Sequence, residues 1–160
     1  MENASEFKDK ICLITGGSSG IGRGIALEFG RLGANVIVAD IQENSKIGKY
    51  HDTNITTTTT EEIINKGGKS EFIKCDCSEY SEHEKVVSSI EQKFKKIDIL
   101  INNAGLHMPG SIEEQSIEDW DRVMSINLRS IYALSKLSLK LIKNSTSGRI
   151  INIASVNAFR

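Results

Sequence analysis

Short apolar segments alternate with amphipathic ones along this chain, and this pattern predicts strands and helices in turn. The predicted strands are Ile11–Thr15, Val36–Asp40, Glu71–Asp76, Ile97–Asn102 and Arg149–Ala154. Apolar strands that alternate only weakly, separated by helices, indicate a parallel sheet covered on both faces. Right-handed crossovers then predict an α/β fold, a doubly wound parallel sheet with strand order 3-2-1-4-5. We expect residues 1–160 to form a single domain.

The amphipathic segments supply the helices of this arrangement. Apolar positions at helical spacing predict helices at Ile21–Leu32, about Thr60–Lys66, Ser81–Phe94 and Ile117–Lys143. Ser81–Glu84 has the sequence of a capping box, so we expect it to begin the third helix. The fourth helix is long for a globular protein, and a break or bend is expected near Asn127. The polar, Thr-rich segment Gln42–Thr59 is predicted to be a surface loop.

The first predicted strand runs into Thr15–Gly22, which reads TGGSSGIG, and a predicted helix follows. Glycines let the backbone turn with positive φ, and their missing Cβ lets a ligand approach closely. The N-terminus of the following helix offers unpaired N–H groups and a positive dipole end to a phosphate. The spacing is G-x-x-x-G-x-G rather than G-x-G-x-x-G, and an ordinary strand–helix turn is the alternative.

Glycines or polar residues lie at the carboxyl ends of all five predicted strands. They are Gly16–Gly22, Asp40, Asp76, Asn103–Gly105 and Ser155. Ligands of doubly wound sheets bind beyond these ends, at the switch between the first and fourth strands. The order of the chain therefore predicts that these residues meet at one ligand-binding edge.

Four segments resemble the signature motifs of the short-chain dehydrogenase/reductase family. Thr15–Gly22 matches T-G-x-x-x-G-I-G, and Asn102–Gly105 matches N-N-A-G. Asn127 and Ser155 match the helix asparagine and the active-site serine of that family. The resemblance extends over about residues 10–160. It implies a Rossmann-like, NAD-binding domain and an oxidoreductase that moves hydride between the nicotinamide and an alcohol or sugar hydroxyl or a carbonyl.

The resemblance also implies roles for individual residues. The cofactor-binding residues would be Gly16, Ser18, Ser19, Gly20, Ile21, Gly22, Asp40, Asp76, Cys77, Asn103, Ala104 and Gly105. The catalytic residues would be Ser155, which hydrogen-bonds a substrate carbonyl, and Asn127, which holds a water in a proton relay.

Two aspartates bear on the identity of the cofactor. A carboxylate at Asp40 can accept both hydroxyls of an adenosine ribose and repels a 2′-phosphate. The following Ile41 and Gln42 are not basic, so we expect NAD rather than NADP; a solvated turn aspartate is the alternative. Asp76 either holds the adenine amine, as the resemblance implies, or caps a turn, and both interpretations stay open.

The proton donor of the family belongs to a Tyr-x-x-x-Lys motif beyond the active-site serine. No such motif follows Ser155 in these 160 residues. Tyr132-x-x-x-Lys136 fits the spacing, but it precedes Ser155 in mid-helix, so we interpret it as a chance match. We therefore expect the family's C-terminal strands to be missing and the 160 residues alone to be inactive. The alternatives are a truncated NAD-binding module or an inactive gene fragment and, more weakly, a methyltransferase.

Composition narrows the range of partners. The net charge of −1 gives no electrostatic case for nucleic acid or for an anionic membrane. A small-molecule alcohol or carbonyl substrate is expected instead, together with homo-oligomers of a full-length form. We expect a cytoplasmic protein, because no apolar leader or membrane-length apolar run is visible in the sequence.

The cysteines and histidines show no metal-binding spacing. The cysteines are expected to be buried, reduced thiols, and they are Cys12, Cys75 and Cys77. Cys75 and Cys77 would point to opposite faces of a strand, which disfavours a shared metal, so no metal site is predicted. The histidines are expected in loops or on the surface, and they are His51, His83 and His107.

Overall fold

The computed structural model of the chain describes residues 7–47 and 55–155. One parallel sheet contains β1 (Ile11–Thr15), β2 (Asn35–Asp40), β3 (Lys69–Lys74), β4 (Ile99–Asn102) and β5 (Arg149–Asn152). The α-helices are α1 (Gly20–Arg31), α2 (Thr59–Asn65), α3 (Tyr80–Phe94), α4 (Ile117–Met124) and α5 (Ser130–Lys143). The strand order is β3-β2-β1-β4-β5, which confirms the predicted Rossmann-like, doubly wound fold.

The central strand, β1, is buried along its whole length. Successive side chains of a strand point to opposite faces of the sheet. Leu13 therefore packs in one core with residues of α3 and α5, whereas Cys12 and Ile14 pack in a second core with residues of α1 and α2. A sheet covered on both faces needs apolar side chains at every position, and this explains the continuous apolar runs of the sequence.

The long segment predicted at Ile117–Lys143 is helical, but it is not one α-helix. α4 begins after Ser116, whose Oγ accepts a hydrogen bond from the Asp119 amide at 3.0 Å. A π-helical turn, Ser125–Arg129, then separates α4 from α5 and carries Asn127. This turn confirms the predicted break. Neither this segment nor any other described helix is long and apolar enough to cross a lipid bilayer.

Several predicted strand boundaries are wrong by two residues, and the shift in β3 matters most. β3 ends at Lys74 and not at Asp76. The last backbone hydrogen bond between the β3 and β2 segments runs from the Cys75 amide to the Asp40 carbonyl at 2.8 Å, and the chain turns after it. β4 also begins later than predicted, and β5 ends earlier. Cys75, Asp76 and Cys77 thus lie in a turn and not in a strand.

The predicted capping box at Ser81–Glu84 is also wrong. α3 already begins before this segment, and its N-cap residue, Glu79, makes no side-chain hydrogen bond to the helix. The Glu79 amide instead donates to the Asp76 carbonyl at 3.0 Å, so a turn leads directly into α3. A capping box caps α2, where Thr58 and Glu61 each accept a hydrogen bond from the other's amide.

The predicted loop Gln42–Thr59 is described only in part. Residues 42–47 are mostly exposed, residues 48–54 lie outside the described residues, and Thr59 belongs to α2. The buried guanidinium of Arg23 in α1 donates to Ser45 Oγ at 3.4 Å and to Thr59 Oγ1 at 3.1 Å. It also pairs with Glu62 at 2.5 Å. Arg23 therefore ties both described ends of this loop to α1.

Asp98, just before β4, joins the strands at the amino edge of the sheet. Its buried carboxylate accepts hydrogen bonds from the Ile11 amide at 2.8 Å and from Ser145 Oγ at 2.5 Å, and it pairs with Lys96 at 2.9 Å. Its backbone carbonyl accepts from the Arg149 amide at 2.9 Å. Burial by itself would raise the pKa of Asp98, but these hydrogen bonds and Lys96 hold it below its ordinary value.

Replacing Asp98 by Asn is expected to lower the free energy of unfolding by about 1–3 kcal/mol, because hydrogen bonds to a charged acceptor are lost. The native pKa is depressed, so the stabilisation is complete above the unfolded pKa of about 3.9 and is lost as the pH falls through the native pKa. Urea unfolding of both proteins from neutral to acidic pH measures the effect, and the difference between them should shrink in acid. Asp121→Asn, at an exposed site on α4, is the control. Equal stabilities of Asp98→Asn and the unmodified chain at neutral pH would contradict this role.

Candidate functional site

A cleft of about 340 Å³ opens at the carboxyl edge of the sheet. The strand order reverses between β1 and β4, which is where doubly wound sheets bind ligands. The sequence-predicted residues that line the cleft are Gly16, Ser19, Gly20, Ile21, Gly22, Asp40, Asp76, Cys77, Asn103, Ala104 and Gly105. Residues from the ends of four different strands are thus brought to one place.

Two glycines of the Thr15–Gly22 segment are required for different reasons, one for its backbone conformation and one for close packing. Gly20, the first residue of α1, has φ of 56° and open space where a Cβ would lie. A Cβ on Gly22 would lie 2.1 Å from the Gly16 carbonyl oxygen and 2.4 Å from Asn103 Nδ2. Gly20 therefore permits the turn and leaves room beside the helix N-terminus, whereas Gly22 lets α1 pack directly on β1 and β4.

Thr15 connects the glycine segment to the end of β4. Its buried Oγ1 accepts hydrogen bonds from the amides of Asn103 and Ala104, both at 3.0 Å. Asn103 Nδ2 returns hydrogen bonds to the carbonyls of Thr15 at 3.0 Å and Gly16 at 3.2 Å. The site assignment from sequence left out Thr15, although a threonine that ends a buried strand is a signal for such a contact.

Asp40 presents a nearly buried carboxylate to the cleft. Its Oδ2 accepts from the Ser18 amide at 3.0 Å and its Oδ1 from the Ile41 amide at 2.8 Å. Ser18 itself is buried and lies outside the lining of the cleft, unlike the other residues predicted for this segment. Its contribution is the amide that orients Asp40.

Asp76 caps a turn, which is one of the two interpretations that the sequence left open, and the adenine contact stays a prediction. Its Oδ1 accepts hydrogen bonds from the Ser78 amide at 2.9 Å and from Ser78 Oγ at 2.7 Å, which is a turn cap. It also lines the cleft. Burial would raise the pKa of Asp76, but the Ser78 hydrogen bonds and the nearby Arg122 hold it below its ordinary value, so the carboxylate is charged.

Two basic residues of the cleft were missed by the sequence analysis. Lys46 and Arg122 both line it, together with Ile41, Leu106 and Ile126. Lys46 lies in the loop after β2 and Arg122 in α4, so neither belongs to a motif at a strand end. Their positions depend on how the loop and the helix return to the sheet, which no local pattern reveals.

The two predicted catalytic residues do not line the described part of the cleft; they are Asn127 and Ser155. Asn127 Oδ1 accepts from the Leu106 amide and Nδ2 donates to the Leu106 carbonyl, both at 2.8 Å. The π-helical turn thereby holds the segment after β4. Ser155 follows β5 at the carboxyl edge and is exposed.

Tyr132 and Lys136 lie on α5, away from the cleft. Tyr132 is 69% exposed, and Lys136 Nζ lies 5.9 Å from the centre of its ring. Neither residue lines the cleft. This placement agrees with the interpretation of Tyr132-x-x-x-Lys136 as a chance match.

Cys75 and Cys77 do not lie on opposite faces, so that prediction is wrong. β3 ends before them, and both thiols are buried in the same core. His83, which was predicted in a loop or on the surface, is 1% exposed in α3. One of its ring nitrogens and both thiol sulfurs lie within 4.8 Å of one another. The geometric argument against a shared ligand therefore fails.

The remaining cysteine and the other histidines match their predictions where they are described. The three cysteines are free and buried, and burial raises the pKa of the Cys12 thiol to about 12. His107 is exposed. His51 lies outside the described residues.

Known proteins resemble this chain over nearly its full length. The family model for short chain dehydrogenases matches residues 10–160. An uncharacterized oxidoreductase of Thermotoga maritima is 38% identical over 149 residues, which cover 93% of this chain and 55% of that protein. The chain spans about half the length of the curated relatives it matches.

Solved structures agree with the sequence relatives. An NADH-dependent reductase complexed with NAD has a TM-score of 0.82 at 30% identity, covering 97% of this chain and 63% of that one. A metagenomic short-chain oxidoreductase in complex with NADP also has a TM-score of 0.82, at 27% identity, covering 95% of this chain and 65% of that one. With the family model matched from residue 10 onward and the fold shared with these enzymes, the chain belongs to the short-chain dehydrogenase/reductase family.

Proposed function

We propose that this chain forms the cofactor-binding part of an NAD-dependent oxidoreductase. The observation that carries the proposal is the cleft itself, in which the N-terminus of α1, the Asp40 carboxylate and the backbone of Asn103–Gly105 face one space. A dinucleotide has matching parts: an anionic pyrophosphate, a ribose with two hydroxyls and a flat nicotinamide. The substrate class proposed is an alcohol, a sugar hydroxyl or the corresponding carbonyl.

The residues of the cleft fit such a cofactor in a definite order. The pyrophosphate would lie at the N-terminus of α1, where the open side of Gly20 leaves the first amides accessible. The adenosine ribose would bind Asp40, and the adenine would lie beside Asp76 and Cys77. Ala104 and Gly105, with their small side chains, would let the nicotinamide ribose lie against the end of β4. The bound cofactor supplies the hydride acceptor, and the protein orients it.

These 160 residues contain some, but not all, of the groups that proton transfer to or from the substrate would need. Ser155 would hydrogen-bond the reacting oxygen, and Asn127, through Leu106, would hold the backbone next to the nicotinamide end. No Tyr-x-x-x-Lys motif follows Ser155 in the sequence. This observation favours a second candidate function for residues 1–160 taken alone, which is binding of the dinucleotide without turnover.

The preference for NAD rests on charge. A 2′-phosphate beside the Asp40 carboxylate would meet a like charge in a partly dry cleft, where the repulsion is stronger than in bulk water. Lys46 also lines the cleft, and its positive charge favours NADP. The two related structures bind NAD and NADP respectively, so the family alone leaves both cofactors possible.

Asp40→Asn should reduce the preference for NADH over NADPH by about tenfold or more, because the repelling charge is removed while an oxygen that accepts the Ser18 amide remains. Calorimetric titration of both cofactors into both proteins measures the ratio of dissociation constants. Glu43→Gln removes the same charge from outside the cleft and serves as the matched control. Tighter binding of NADPH than of NADH by the unmodified chain, lost in Lys46→Gln, would establish the NADP alternative.

Gly22→Ala should weaken NADH binding by about tenfold or more and cost about 1–3 kcal/mol of stability, because two backbone segments must separate. Gly24→Ala is the matched control in the same helix. A Cβ at Gly24 meets nothing within 4 Å, so this variant should bind normally and gain about 0.5–1 kcal/mol. Normal NADH affinity in both variants would show that the cleft does not hold the cofactor against α1.

Residues 1–160 should bind NADH and show no measurable alcohol or carbonyl turnover, since a missing general acid typically costs about 10²–10⁴-fold. A panel of small alcohols and ketones, followed by absorbance of the reduced nicotinamide, measures turnover, and calorimetry measures binding in the same sample. Turnover that disappears in Tyr132→Phe would contradict both this expectation and the interpretation of Tyr132-x-x-x-Lys136.

A further inference from the structure

Three possible metal ligands meet where β3 ends and α3 begins. Cys75 and Cys77 lie in the turn after β3, and His83 lies on the second turn of α3. Their exposed fractions are 2%, 8% and 1%, so all three are shielded from solvent. Both sulfurs and one imidazole nitrogen lie within 4.8 Å of one another. The cluster is defined here as the Cys75–Cys77–His83 site.

The imidazole of His83 has no protein partner that explains its burial. Neither Nδ1 nor Nε2 has a hydrogen-bond partner among the described residues. A buried polar group without a partner loses the hydrogen bonds of water and gains none in return, which is destabilising. A neutral imidazole with an unpartnered ring nitrogen is the form in which histidine binds metals.

The dimensions of the site suit a tetrahedral ion. Zinc binds sulfur at about 2.3 Å and imidazole nitrogen at about 2.0–2.1 Å, so two of its ligand atoms lie about 3.5–3.8 Å apart. The ligand atoms lie within 4.8 Å of one another, and rotation of the three side chains would have to supply the remaining approach. Thiolate and imidazole donors also favour zinc over calcium or magnesium.

Charge and space are consistent with such an ion. Binding of Zn²⁺ would release the protons of the two thiols to solvent, and the resulting thiolates would neutralise the cation, so the loaded site adds no net charge to the core. A cavity of about 10 Å³ lies beside Cys77, His83 and Ser130, which is close to the space that a single water needs. A water in this space would supply the fourth ligand beside the three protein ligands.

We propose that the Cys75–Cys77–His83 site binds one Zn²⁺ through two thiolates and one imidazole nitrogen. The ion would join the turn after β3 to α3 and would satisfy the buried ring of His83. Cys75 and Cys77 also line the cleft, so the metal site would border the position proposed for the adenine.

Cobalt is the probe for the first experiment, because it replaces zinc and its colour reports the donor atoms. The chain is stripped with a chelator, kept reduced with a phosphine and titrated with Co²⁺. We expect one Co²⁺ per chain, an intense thiolate-to-cobalt charge-transfer band and the visible bands of tetrahedral cobalt, all of which Zn²⁺ abolishes by displacement. Absence of a charge-transfer band at saturating Co²⁺ would overturn the proposal.

Variants identify the donors. Cys75→Ala, Cys77→Ala and His83→Ala should each weaken binding of Co²⁺ by about 100-fold or more, since even changes outside the direct ligands cost about 10–100-fold. Cys12→Ala is the matched control, because Cys12 is an equally buried cysteine that packs on the other face of the sheet. An undiminished band in Cys77→Ala, or a band lost in Cys12→Ala with its fold intact by circular dichroism, would contradict the assignment.

X-ray absorption of the unmodified, zinc-loaded chain tests the same donors without any substitution. The expected first shell contains two sulfurs at about 2.3 Å and nitrogen or oxygen at about 2.0–2.1 Å. A shell of nitrogen and oxygen alone would place the ion elsewhere and overturn the proposal. So would native mass spectrometry that finds no bound zinc in the reduced, zinc-supplied chain.

Discussion

The close approach of α1 to the ends of β1 and β4 is the constraint on which the rest of the site depends. It is possible only because Gly22 has no Cβ: one placed there would lie 2.1 Å from the Gly16 carbonyl oxygen. The space that a side chain would fill is used by Asn103 Nδ2, which bonds the carbonyls of Thr15 and Gly16. The first residues of α1, Gly20, Ile21 and Gly22, line the cleft beside this contact.

Polar groups join the strands at both edges of a sheet whose middle is apolar. At the carboxyl edge, the links run from Asn103 to Thr15 and from Ser18 to Asp40, and they pass on to Cys75 at the end of β3. At the amino edge, the single residue Asp98 bonds β1 and Ser145, which precedes β5. It also pairs with two lysines, Lys10 and Lys96. Because buried polar groups must be satisfied, these links fix strand ends that hydrophobic packing alone would leave free to slide.

The sequence was most informative where a local hydrophobic pattern could be combined with a general rule of protein architecture. Apolar runs and right-handed crossovers predicted the strand order, and the length of Ile117–Lys143 predicted a break that the π-helical turn at Asn127 confirms. Errors arose where the chain leaves a regular element. The alternation of side chains assigned Cys75 and Cys77 to opposite faces, but alternation ends with the strand at Lys74. His83 was misplaced because its expectation rested on the absence of metal-ligand spacing, which carries no information about burial.

The sequence by itself determined the fold, the glycine segment and the set of residues at the strand ends, because these follow from periodicity and from the chain order of the elements. Only the tertiary structure decided which side chains share a space. Lys46 and Arg122 reach the cleft from a loop and a distant helix, and Ser18 turns away from it to orient Asp40. The meeting of His83 with two thiols is also tertiary. It depends on how α3 packs in the core beside α5, which no local sequence pattern reveals.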